Sequence, residues 1–240
     1  MSFFAFLGVE FVGITAAETK DPLKTIPKSI NSIIIRILIF YIGALLAIMT
    51  IQPWTNYSAN TSPFVQVFSG IGIPAAAGII NFVILTAAAS SLNSALFTTG
   101  RMIFSLSPKN SFFSQLNSHY IPMRGINLST ALIATVIGLN YIFPEDAFSM
   151  VTATASATFI VIYISLLITH IQYRKSDHFI NGQKKFLMPF APFSNYLTIV
   201  FMAGVFLILL LSPATMMTTI LSIIWFVVLF IISLYKVHVR

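Results

Sequence analysis

The sequence predicts an all-α membrane protein with seven transmembrane helices, and three observations carry that prediction. The chain of 240 residues is 57% hydrophobic and 8% charged, with a mean hydropathy of +0.91. Soluble globular domains carry about 25% charged residues. All 13 Lys and Arg residues fall into four clusters, within 20–36, 101–124, 174–185 and 236–240. The stretches between them, 37–100, 125–173 and 186–235, are almost uncharged. A helix needs about 20 apolar residues to cross the hydrocarbon core, so each stretch holds two crossings. Basic loops stay cytoplasmic. Each pair of helices therefore leaves the basic side and returns to it, with the N-terminus outside and the C-terminus cytoplasmic.

The elements follow in order. A first, short span is expected over 3–17, followed by a basic loop over 19–27 whose Pro22 and Pro27 stop one helix and open the next. The second span, 33–51, ends at Pro53-Trp54, an interfacial aromatic. The polar loop 55–62 lacks any basic residue, as an external loop should. The third span, 74–97, is rich in small residues and leads to the cytoplasmic segment 101–124. The fourth span, 126–142, turns at the acidic external hairpin Phe143-Pro144-Glu145-Asp146. The fifth, 147–171, descends to a basic loop over 173–185. The sixth and seventh, 192–211 and 216–235, are joined by the tight turn Ser212-Pro213. Residues 1–240 read as a single transmembrane domain.

Composition also excludes several classes. The net charge of +7 is split among short loops without interleaved aromatics, which membrane orientation explains and a nucleic-acid partner does not. With no cysteine there is neither a disulfide nor thiolate chemistry. His119, His170, His178 and His238 show no metal-ligand spacing, and no Gly-rich phosphate loop or nucleophile elbow is present. No cofactor, metal or enzymatic activity is expected. No cleavable leader is recognisable, and an external N-terminus without one leads to the expectation that the chain is the tail of a longer protein.

Glu10 is the residue that physics singles out. It is the one carboxylate well inside an expected span, and Gly8 and Gly13 flank it. A buried ionisable group costs several kcal/mol and normally faces a cavity or a partner on a transport pathway. Glycine costs about 1 kcal/mol against alanine in a helix interior. A helix broken near the midplane presents polar backbone to a substrate, which is tolerable where it lines a cavity. The competing reading is a packing glycine with a carboxylate hydrogen-bonded to a neighbouring helix. For the small-residue stretch from Thr86 to Ala95, packing between helices is the expected role. Thr152, Thr154, Ser156 and Thr158, spaced by two, are expected to spread around their helix rather than share a face.

Several runs carry a resemblance. Phe3-Phe4-Ala5-Phe6-Leu7-Gly8-Val9-Glu10, Ala16-Ala17-Glu18-Thr19-Lys20-Asp21-Pro22, Ile26-Pro27-Lys28, and Arg36 through Phe40-Tyr41 to Pro53-Trp54 are similar to bacterial amino-acid permeases. Asn81-Phe82, Ser90-Ser91-Leu92-Asn93-Ser94 and Thr99-Gly100-Arg101-Met102 match the same family, part of the amino acid–polyamine–organocation superfamily. Thr15-Ala16-Ala17-Glu18-Thr19-Lys20-Asp21-Pro22 resembles its D-serine/D-alanine/glycine transporters in particular.

The resemblance implies a twelve-helix fold whose first ten helices form two inverted repeats. This chain would hold the second repeat and the last two helices, without the five N-terminal helices. It implies proton-coupled symport of small neutral amino acids across the cytoplasmic membrane, with an amino acid, a proton and the bilayer as partners. Phe4 matches an aromatic gate position that is often Trp in relatives; Ala5, Phe6 and Gly8 match the unwound part that receives the substrate amino group; Glu10 matches a gating or coupling carboxylate. A truncated, non-transporting remnant is the alternative. A seven-helix receptor or light-driven pump fits less well, because the last span has no Schiff-base lysine before Lys236.

Overall fold

The computed structural model describes residues 2–57, 62–70, 74–142, 147–176, 179 and 186–238, and every regular element among them is helical. Six helices are long and apolar enough to cross a membrane, and a shorter apolar stretch, Phe3–Ile14, precedes them. Among the described residues, the buried hydrophobics are Val67, Ala153, Ala157 and Ile160, while Phe40, Phe82 and Phe230 are 68%, 66% and 64% exposed. That core is far too small for a water-soluble chain of this length. The exposed apolar side chains instead suit a lipid solvent. The chain is a multi-pass membrane protein. The acidic hairpin 143–146 and most of the basic loop through Lys185 lie outside the described residues.

The chain divides into two compact units, Glu10–Thr135 and Met1–Val9 with Val136–Arg240. In the first, α1 (Phe11–Ile14) and a 3-10 turn (Thr15–Glu18) lead to α2 (Pro22–Ile37). Asp21, at φ 52°, turns the chain, and its carbonyl accepts the N–H groups of Lys24 and Thr25 at 3.0 Å each. Pro22 then opens the helix, where its missing N–H costs nothing. A π-turn (Leu38–Ile42) joins α2 to α3 (Gly43–Ile51), making one apolar rod of 30 residues, Pro22–Ile51. The second span thus starts at Pro22, not at 33. Its first turns carry Lys24 and Lys28, which an apolar-run criterion rejects.

Sequence reading left residues 63–73 unassigned, yet Pro63–Gly70 forms α4 and packs on α5 through buried Val67. The third span continues to Leu106 as α5 (Pro74–Leu106), so Arg101 stands on its last turns. Residues 111–114 turn through a 3-10 helix (Phe112–Ser114), and α6 (Met123–Ile142) follows. Helices α5 and α6 meet at two glycines. A Cβ on Gly125 would lie 2.9 Å from the Gly100 carbonyl oxygen, and one on Gly100 would lie 2.6 Å from Ile126 Cγ1. Only residues without side chains permit that approach.

In the second unit, α7 (Ala147–Tyr173) packs against both α8 (Phe193–Leu211) and α9 (Met216–His238). The buried residues of α7 are Thr152, Ala153, Ser156, Ala157 and Ile160, which share one face. The four hydroxyl residues spaced by two do not share a face: Thr152 and Ser156 lie one turn apart on the packed face, while Thr154 is exposed. Buried Thr218, Thr219 and Ser222 supply a similar small, hydroxylated face on α9. Each hydroxyl donates to its own helix, as in Ser156 Oγ to the Thr152 carbonyl at 2.7 Å and Thr219 Oγ1 to the Thr215 carbonyl at 2.8 Å. The polar atoms are thereby satisfied without separating the helices.

Candidate functional site

The segment expected to be the first span is a shorter apolar stretch and not one continuous helix. It runs as a 3-10 helix (Ser2–Phe6), a turn, the single-turn α1, and a second 3-10 turn. At about 1.5–2.0 Å of rise per residue, Phe3–Ile14 extends about 18–24 Å at most. That is short of the hydrocarbon thickness of about 30 Å. The discontinuity lies at Gly8, whose φ of +104° is a conformation that side chains resist. No atom lies within 4 Å of where a Gly8 Cβ would be built, so torsion rather than crowding selects glycine. Gly13 differs: it sits inside α1 with no such φ. Of the two flanking glycines, one makes the break.

Phe4, Ala5, Phe6 and Gly8 are held together on one side of the break. The Leu7 N–H donates to the Phe4 carbonyl at 3.2 Å, closing a 3-10 turn. This turn leans on α7, where the Phe3 ring meets Tyr163 edge-on at 6.1 Å and Tyr163 meets Phe159 at 6.0 Å. Sequence reading missed these two aromatics; their i, i+4 spacing on one helix face was the available signal. Phe4 and Phe6 are themselves 38% and 46% exposed. Glu10 begins the other unit, half-buried at the N-terminus of α1, where its carbonyl accepts the Gly13 N–H at 2.9 Å. Thr15 Oγ1 donates to the Val12 carbonyl at 3.1 Å and closes the short helix behind it.

The remaining polar candidates do not converge. The side chains of Thr86 to Ser94 on α5 are exposed, so the packing expected of them has no partner inside their own unit. Thr86 Oγ1 and Ser94 Oγ donate to the Val83 and Ser90 carbonyls of the same helix, at 2.8 and 3.1 Å. His170 is engaged structurally: its Nδ1 lies 2.8 Å from Nδ2 of Asn195, a fully buried residue in the first turn of α8. A polar pair of this kind ties two helices in an apolar surround. Among the described residues no three His, Asp or Glu side chains gather into a metal-binding group.

The sequence was compared with those of known proteins. The family described as "Amino acid permease" matches residues 1–240. The chain is 46% identical over 243 residues to the amino-acid permease AapA of Bacillus subtilis, covering 100% of this chain and 52% of that protein. It is 43% identical over 236 residues to the probable threonine/serine transporter YbxG of Bacillus subtilis, covering 96% and 50%. It is 37% identical over 231 residues to the D-serine/D-alanine/glycine transporter of Escherichia coli K12, covering 94% and 49%. The chain spans about half the length of the curated relatives it matches. No solved structure matches it.

Proposed function

Since the chain belongs to the amino acid permease family, we propose that it forms half of a cell-membrane symporter for small neutral amino acids. D-Alanine, D-serine or glycine would be the substrates and a proton the coupling ion. The C-terminus would face the cytoplasm, with the basic loops. The reading concerns a polypeptide of the relatives' length, in which helices preceding these 240 residues complete the cavity.

One observation carries it: the left-handed Gly8 inside an otherwise apolar segment. A chain reversal of helical order at membrane depth is stable where it borders a cavity or protein, not lipid. In transporters such discontinuities hold polar substrate groups near the midplane, and one bundle rocks against another around them. Ala5, Phe6 and Gly8 would receive the substrate amino group, Phe4 would close over it, and Glu10 would carry the coupled proton. Two relatives whose names print small neutral amino acids support the substrate class.

The test is uptake of labelled D-alanine by proteoliposomes containing the full-length polypeptide under an imposed proton gradient. Unlabelled D-serine and glycine should compete, and tryptophan should not. Glu10→Gln should abolish the response to the gradient. If that variant transports at the normal rate and with the normal pH dependence, Glu10 has no coupling role.

A further inference from the structure

From the segment between α5 and α6 we infer a second binding site, one for a phosphate-bearing anion at the cytoplasmic edge of the bilayer. A cavity of about 510 Å³ opens there, lined by Phe104, Ser105, Ser107, Lys109, Asn110, Ser114 and Gln115. Its floor is fixed by backbone. The Ser111 N–H donates to the Pro108 carbonyl at 3.1 Å, and Asn110 takes φ 66°, so Lys109 and Asn110 occupy the tip of a tight turn. Ser114 Oγ donates to the Ser111 carbonyl at 2.9 Å, holding the 3-10 turn that carries Ser114.

Charge decides the kind of ligand. Between Asp21 and Glu145 the sequence contains no Asp or Glu, so Lys109 has no acidic side chain near it along this whole stretch. The two other cations of this segment are engaged elsewhere, Arg101 over the Phe97 ring at 5.5 Å and Arg124 on Phe112. Arg124 stacks over the Phe112 ring at 4.2 Å and donates from Nη1 to the Phe112 carbonyl at 2.9 Å. It braces the wall and leaves Lys109 as the cation of the cavity. Ser105 and Ser107 donate to the Met102 and Ile103 carbonyls of α5. Of the side chains that line the cavity, those left to donate to an anion are the Lys109 ammonium and the amides of Asn110 and Gln115. One point charge flanked by neutral amides suits a phosphate monoanion.

The rim is apolar. Leu106 and Phe112, beside the lining residues in sequence, are 81% and 63% exposed. A polar, cationic lining with an exposed apolar rim matches an anionic phospholipid, with its headgroup in the cavity and its chains along α5. Inorganic phosphate shares the headgroup chemistry without the chains.

The experiment uses the full chain purified in mixed micelles of equal phosphatidylglycerol and phosphatidylcholine, with retained lipid counted by mass spectrometry. Phosphatidylglycerol should be enriched, and Lys109→Gln should lower its retention by about fivefold, as expected for one lysine at an anionic surface. Asn110→Gly keeps the turn, since glycine accepts its φ, and should cause a smaller loss in the same direction. Lys24→Gln, which removes an exposed charge elsewhere, should leave retention unchanged. A second arm titrates inorganic phosphate into lipid-free micelles. Saturable binding that Lys109→Gln weakens, without lipid enrichment, supports the site and assigns it to the free ion. Equal losses in Lys24→Gln and Lys109→Gln, or no effect of Lys109→Gln in either arm, overturn the inference.

Discussion

Replacing Gly8 by alanine tests the torsion at the break, since within these residues no side chain or backbone opposes the added methyl. With no atom within 4 Å of the new Cβ, the methyl group meets nothing, and only the φ of +104° opposes it. A side chain held in such a sparsely populated region costs about 1–3 kcal/mol. That energy sets the balance between the broken form and any straighter alternative, so Gly8→Ala should depopulate the broken form by about 5–150-fold. Gly13→Ala is the matched control. Gly13 also has open space around it, but it lies in α1 without positive φ. There alanine is the better helix former by about 1 kcal/mol. Uptake of labelled D-alanine by cells expressing the full-length polypeptide, scaled to membrane-inserted protein, should fall steeply for Gly8→Ala and hold for Gly13→Ala. Equal uptake by both variants would show that the Gly8 conformation plays no part in transport.

Three further outcomes follow. Gly125→Ala places a methyl 2.9 Å from a backbone oxygen that cannot rotate away. It should cost about 1–3 kcal/mol and lower the unfolding temperature in detergent, while Gly138→Ala, in open space, should be near neutral. At fully buried Thr219, Thr219→Leu should destabilise by a similar amount. Thr219→Val keeps the volume and should cost about 1 kcal/mol, the one hydrogen bond that its hydroxyl donates to the Thr215 carbonyl. Because the chain has no cysteine, single cysteines report topology directly. Ser118→Cys in inverted vesicles and Thr55→Cys in intact cells, both at exposed positions, should each react with an impermeant maleimide, and the opposite pattern would reverse the orientation.

The long helices were legible because lipid imposes one simple demand, an uninterrupted apolar run. Helices α6, α8 and α9 start and stop within a few residues of the expected bounds for that reason. The demand says nothing about helix outside the hydrocarbon. The amphipathic turns of α2 before Ile33 and the two turns of α4 were therefore missed. Ser62-Pro63, a start signal followed by Phe64, Val67 and Phe68 at helical spacing, was available for α4. At the candidate site, two glycines around Glu10 marked the weak point, but composition could not say which one breaks the helix. That depends on φ, which the sequence of a short apolar run does not encode. The Gly100–Gly125 crossing was equally hidden, because it pairs residues from two different helices.

The unbroken rod from Pro22 to Ile51 has one more implication. Its 30 residues rise about 45 Å, half as long again as the hydrocarbon of about 30 Å. Measured back from Trp54, which is 72% exposed and suited to the headgroup layer, a thickness of that size ends near Arg36. The four turns before Arg36 therefore stand in water as a stiff post. Pro27 lies within that post, where it deprives the Leu23 carbonyl of a helical donor. In hydrocarbon that orphaned oxygen would cost several kcal/mol, whereas in water a solvent molecule fills the role. A proline at this depth is harmless, and the same residue four turns further along the rod would not be.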